Sequence, residues 1–127
     1  MPGWTPAQLA RVAATDDFHI APYREDGITP GTAIWVWSVP VGDAVYVRSN
    51  NPASRWFAAA VRQKAGMASG GGYAGPVTYE HVTDDAVKDA VDIAFATKYG
   101  DDPHFSEDLL SRSRDQIAKL VPDATPS

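Results

Sequence analysis

The residues best placed to do chemistry in this chain of 127 residues lie in two short stretches. The first runs Tyr46-Val47-Arg48-Ser49-Asn50-Asn51-Pro52-Ala53-Ser54-Arg55-Trp56-Phe57. Alternation along an extended segment places Val45 and Val47 on one face and Tyr46 and Arg48 on the other. Asn50-Asn51-Pro52 breaks the strand, and Ser54 stands where a helix N-cap belongs. Free amides at that helix start, its positive dipole end, the hydroxyls of Ser49 and Ser54, and the guanidinium groups of Arg48 and Arg55 would together hold a phosphate or carboxylate. The same residues also read as a plain N-cap beside two solvated or ion-paired arginines.

The second stretch is Asp16-Asp17-Phe18-His19-Ile20-Ala21-Pro22-Tyr23-Arg24-Glu25-Asp26-Gly27. His19 and Tyr23 supply an imidazole and a phenol among several carboxylates, the materials of acid–base catalysis. The plainer reading is that Asp26-Gly27 marks a turn and Asp16-Asp17 leaves a helix. Metal binding is not expected, because His19, His81 and His104 are far apart in sequence and form no HExxH-type spacing. Gly70-Gly71-Gly72 lacks the glycine spacing of a dinucleotide fingerprint and reads as a turn. Trp35 and Trp37, alternate residues on one face, read as core before they read as a stacking platform.

Composition narrows the classes of function. A formal net charge of -5 argues against nucleic acid and against anionic membrane surfaces as partners. The absence of cysteine excludes disulfides, thiolate catalysis and thiolate metal sites. Met1 to Asp17 has neither a basic n-region nor an apolar h-region, and the longest apolar run, Ala33 to Val39, is too short to span a bilayer, so a cytoplasmic location is expected.

The elements that must position these residues follow from periodicity. Thr5-Pro6 opens a helix with Leu9, Val12 and Ala13 as its apolar stripe, ending near Thr15. Phe18 to Tyr23 is extended. Ala33–Val39 reads as a strand buried on both faces, Pro40 to Asp43 as a tight turn, and Ala44–Ser49 as its hairpin partner. A helix over Ser54–Lys64 buries Trp56, Phe57, Ala60 and Val61, and Gly66 closes it. A short strand near Met67 and another over Val77–Val82 follow. Asp84 caps a helix carrying Val87, Val91, Ala94 and Phe95 and reaching Tyr99. A last helix is predicted over Ser106–Leu120, with Leu109, Leu110, Ser113, Ile117 and Leu120 inward, before a frayed tail from 122 to 127. The whole, 1–127, is one domain of the α+β class: a small, mostly antiparallel sheet or split β-barrel flanked by helices.

Across roughly Leu9 to Pro122, the runs DDFHIAPYREDG, IWVWSV, YVRSNNPASRWFAAAVRQKAG and KYG resemble a bacterial family of small domains of unknown function. More distantly, the order of strand, polar loop, serine, basic or aromatic residue and helix is similar to the split β-barrel flavin and deazaflavin reductases. That resemblance implies a homodimer binding FMN or a deazaflavin, with Arg48, Ser49, Ser54 and Arg55 on the phosphate and Trp56 under the loop or against the ring. The function it implies is a cytoplasmic oxidoreductase. The alternative is a cofactor-free domain, of binding, cyclase or isomerase type, that holds a small organic molecule in a cavity lined by Trp35, Trp37, Tyr46, Trp56 and Tyr79, with His19 or Tyr23 giving acid–base help.

Overall fold

A computed structural model describes residues 4–14, 17–49, 55–102, 110 and 113–122, with Arg55 described in its backbone alone. The elements are α1 (Pro6–Ala14), β1 (His19–Pro22), β2 (Ile34–Trp35), β3 (Ser38–Val41), β4 (Ala44–Arg48), α2 (Arg55–Gln63), β5 (Ala65–Gly70), β6 (Tyr73–His81), α3 (Asp85–Tyr99) and β7 (Ile117–Pro122). Seven strands form one antiparallel sheet in the order β2-β1-β5-β6-β7-β4-β3, curled into a half-barrel. The α+β architecture expected from the sequence is the one observed.

The helices begin for local reasons. Thr5 caps α1 in a reciprocal box, with the Gln8 amide donating to Thr5 Oγ1 at 3.1 Å and the Thr5 amide to Gln8 Oε1 at 2.9 Å. Trp4, just before the cap, and Leu9, in the next turn, both join the main core cluster, so they act as a hydrophobic staple. Asp84 caps α3, accepting from the Val87 amide at 3.1 Å. Lys64, at φ 61°, stops α2 in a left-handed turn.

Alternation divides the core between the two sheet faces. Val45 and Val47 of β4, Ile20 of β1, Ala68 of β5, Val77 and Tyr79 of β6, and Ala118 and Leu120 of β7 share one cluster with α1 and α2. Because it draws on five neighbouring strands, this is the inner face of the curl. Val39, Ala44, Tyr46 and Ile117 make the second, outer cluster with Val91, Phe95 and Tyr99 of α3. The outer cover stops at β6: on β6 the outward residues Ala74, Pro76, Thr78 and Glu80 are all exposed.

Three expectations are corrected. The run from Ala33 to Val39 is not one strand of the hairpin. Ile34–Trp35 pairs with β1 at one edge of the sheet, while Ser38–Val41 pairs with β4 at the other. Only Val36 and Trp37 lie between them, so the curl brings its two edges within about 10 Å. The hairpin turn shrinks accordingly to Gly42-Asp43, with Pro40 and Val41 in the strand. Second, Ile117 to Leu120 are strand and not helix. They fill the gap between β6 and β4 and bond to both, satisfying two edges that a helix would leave open. Pro122 belongs to this strand and not to a tail; residues 106–109, 111–112 and 123–127 lie outside the described residues. Third, Gly66 lies within β5, and Lys64 rather than Gly66 ends the helix.

Among the described residues, Ser38 Oγ, on a fully buried residue of β3, has no hydrogen-bond partner. Its desolvation is uncompensated, so Ser38→Ala is expected to raise stability by about 1 kcal/mol. Thermal unfolding of the two proteins checks it.

Candidate functional site

Small outward residues on β1, β5 and β6, namely Ala21, Ser69 and Ala74, leave a groove. Antiparallel pairing places Trp35, His19, Ser69 and Ala74 side by side across β2, β1, β5 and β6. The next row on the same face holds Ala21, Met67 and Pro76. Between these rows opens a shallow cavity of about 230 Å³ lined by His19, Ala21, Ala33, Met67, Ser69 and Ala74, together with Ile20, Ala68 and Gly75. The floor is low because alanine and serine stand where longer side chains would fill the space.

His19 is the main titratable group of the groove. Its side chain is 39% exposed, and its Nδ1 lies 3.5 Å from Asp17 Oδ1, a pairing distance rather than a firm hydrogen bond. In a neutral ring with Nδ1–H turned to that carboxylate, Nε2 would be an acceptor. Such an imidazole can accept a hydrogen bond, or a proton, from a hydroxyl held in the groove.

Tyr23 shares the outward side of the β1 segment with His19 and Ala21, but four residues of extended chain separate it from His19 by about 13 Å. Its hydroxyl contacts Met67 Sδ at 3.9 Å. The two side chains therefore flank one face without meeting on a common proton.

Of the residues expected to form an anion cradle, Arg48 and Ser49 fall within the described residues with their side chains. Arg48 ends β4 and points outward beneath α3, with a side chain only 2% exposed. Its NH1 donates to Asp92 Oδ1 at 2.7 Å, its Nε to Ser113 Oγ at 2.9 Å and its NH2 to the Leu110 carbonyl at 3.0 Å. The guanidinium also lies 5.1 Å from the centroid of the Phe95 ring. Burial draws its pKa below the usual arginine value, and Asp92 opposes that shift. Asp92 bridges Arg48 to Arg114, whose NH1 reaches Asp92 Oδ2 at 2.8 Å.

This arrangement is a poor fit to a phosphate. The Arg48 charge is already answered by a carboxylate, on the sheet face opposite α2. Ser49 is buried, its amide donating to the Gln116 carbonyl at 3.0 Å. Trp56 packs against the inner cluster with its ring 5.7 Å from that of Phe57. Ser54 and the Arg55 side chain lie outside the described residues. The acidic spacing of Asp85, Asp89 and Asp92 on α3 was the available signal that a buried cation needed a partner there.

The aromatic residues of the alternative reading do not line one cavity. Tyr79 is buried on the inner face, its hydroxyl donating to the Met67 carbonyl at 2.8 Å, and burial pushes its pKa up. Tyr46 lies in the outer cluster and Trp56 in the inner. Trp37 stacks flat on Tyr99 with ring centroids 4.3 Å apart. Trp35 alone of the five stands in the row that contains His19, and it is 49% exposed. Sequence reasoning missed Ala33, Met67, Ser69 and Ala74, because only the cross-strand register makes them neighbours of His19. Among the described residues no helix is long and apolar enough to cross a membrane, and no three His, Asp or Glu side chains gather as a metal-binding group.

Neither the curated proteins nor the solved structures contain a match to this chain. A family model does match, over residues 8–120: the chain belongs to the bacterial family described as "uncharacterized protein conserved in bacteria" (DUF2255).

Proposed function

We propose that the protein binds a small, largely apolar organic molecule in the groove on the outer face of β1, β5 and β6. The observation that carries this reading is a cavity of about 230 Å³ on the sheet face that α3 leaves bare, with the His19 imidazole in its wall. Pockets for drug-sized ligands are typically about 300–1,000 Å³, so this one suits a molecule of one or two rings. His19, backed by Asp17, supplies the polar contact and can shift a proton on the bound molecule; with one imidazole in the wall of an otherwise largely apolar groove, simple binding or isomerisation suits the site. Oxidoreductase chemistry would need bound FMN or a deazaflavin, and Arg48, already paired with Asp92, is poorly suited to anchor its phosphate. The reading therefore rests on the groove and not on a redox cofactor.

Calorimetric titration with one- and two-ring fragments, FMN, a deazaflavin and inorganic phosphate tests it, comparing the wild type with Ala74→Trp. Ala74 is exposed, so the indole fills the groove without disturbing the core. Saturable binding of a fragment, weakened at least about tenfold by Ala74→Trp, is the expected outcome. Binding of FMN or phosphate that Ala74→Trp leaves unchanged would move the site to the loop before α2.

A second copy of the chain would wall this open groove, with exposed Trp35, Ala74 and Pro76 offering apolar area beside it. A homodimer is thus part of the proposal, and light scattering that reads a monomer over a wide concentration range would remove it.

A further inference from the structure

We infer that the groove selects a neutral aromatic molecule bearing a hydroxyl, its ring laid against Trp35 and Met67 and its hydroxyl donating to His19. The inference rests on the groove being the binding site and goes on to name the class of ligand. Three observations carry it. Trp35 stands next to His19 in the same cross-strand row, on the same sheet face, and is 49% exposed. Its orientation is held by a neighbouring ring: Trp37 meets it edge-to-face with ring centroids 6.5 Å apart, and Trp37 is in turn stacked on Tyr99. An indole held in this way offers a flat π surface beside His19, next to the residues that line the cavity, at little entropic cost. On the other side Met67 lines the cavity, and a polarisable thioether favours contact with an aromatic ring over an aliphatic one.

Charge decides the polar group. The Asp17 carboxylate lies beside the imidazole, and the chain as a whole carries a net charge of -5, so a ligand carboxylate or phosphate would be repelled at this end of the groove. An imidazole with Nδ1–H turned to Asp17 presents an acceptor at Nε2, which a hydroxyl satisfies and an ether does not.

Three probes of like shape separate these contributions: 2-naphthol, 2-methoxynaphthalene and the saturated decahydro-2-naphthol. Dissociation constants are measured for the wild type, Trp35→Leu, His19→Leu and Ala74→Trp, each checked for native circular dichroism. In the wild type 2-naphthol binds tightest. Trp35→Leu weakens both naphthalenes by roughly three- to tenfold and leaves decahydro-2-naphthol unchanged. His19→Leu weakens 2-naphthol by about fivefold and 2-methoxynaphthalene hardly at all. Equal binding of all three probes, abolished by Ala74→Trp, would keep the groove and overturn the aromatic hydroxyl class. Failure of every probe to bind the wild type would overturn the groove reading and this inference with it.

Discussion

Replacing Arg48 by alanine is expected to destabilise the fold by about 3–5 kcal/mol, the usual cost of removing one partner from a buried ion pair. The side chain is 2% exposed and gives its three bonds to Asp92, Ser113 and the Leu110 carbonyl. Alanine would leave the Ser113 hydroxyl and the Leu110 carbonyl without this donor and open space beside Phe95. Asp92 would keep Arg114, which is partly exposed and so compensates weakly. Arg48→Met separates charge from volume: it refills the space over Phe95, and recovery of about half the lost stability is expected. Urea unfolding at constant m-value is the measurement. A loss below about 1 kcal/mol for Arg48→Ala would mean that the guanidinium is solvated and available to an anion.

The second large effect is expected at Gly66, which pairs with Pro22 where β5 lies beside β1. A Cβ there would lie 2.6 Å from the Ala21 carbonyl oxygen, 2.6 Å from Pro22 Cα and 2.8 Å from the Tyr79 ring. Two of these are backbone atoms of the neighbouring strand, so the clash is relieved only by moving β1 off β5. Gly66→Val should cost about 3 kcal/mol, at the upper end for overpacking of a well-filled site. Because His19 and Ala21 ride on β1 while Met67 and Ser69 ride on β5, the same change should also damage the groove. Thermal unfolding measures the first effect, and hydrogen exchange at the amides of β1 measures the second. Unchanged β1 protection in Gly66→Val would show that the strand can yield without unpairing.

What was legible in the sequence was what local chemistry decides. Thr5 with Gln8, and Asp84 with Val87, carry their caps within four residues, and the α3 stripe of Val87, Val91, Ala94 and Phe95 falls where the helical period puts it. Alternation correctly assigned Val45 and Val47 to one face of β4 and Tyr46 and Arg48 to the other. Long-range pairing decided the rest. Leu110, Ser113, Ile117 and Leu120 recur at spacings that suit a helix, yet Ile117–Pro122 is drawn into the sheet by the open edges of β4 and β6. Ala33 to Val39 looks like one buried strand because both of its halves are strand. Nothing local says that they serve opposite edges of a curled sheet.

The candidate site divides in the same way. His19 and Tyr23 stood out as titratable residues, and the structure sets both on the bare outer face. Arg48 stood out as a cation near a helix start, and what it meets instead is an aspartate 44 residues further on. The groove's other walls come from β1, β5, β6 and Ala33, and none carries a chemical signature of its own.

The claim at the centre of this account, that ligands bind on the outer face of β1, β5 and β6, is tested most directly by mapping backbone amide shifts. Uniformly ¹⁵N-labelled protein is titrated separately with 2-naphthol and with decahydro-2-naphthol. Saturable shifts are expected from either probe, concentrated at 19–21, 67–69 and 74–75 and at the Trp35 indole. Shifts concentrated at Ser49 and the first turn of α2, or none that saturate with either probe, would contradict it.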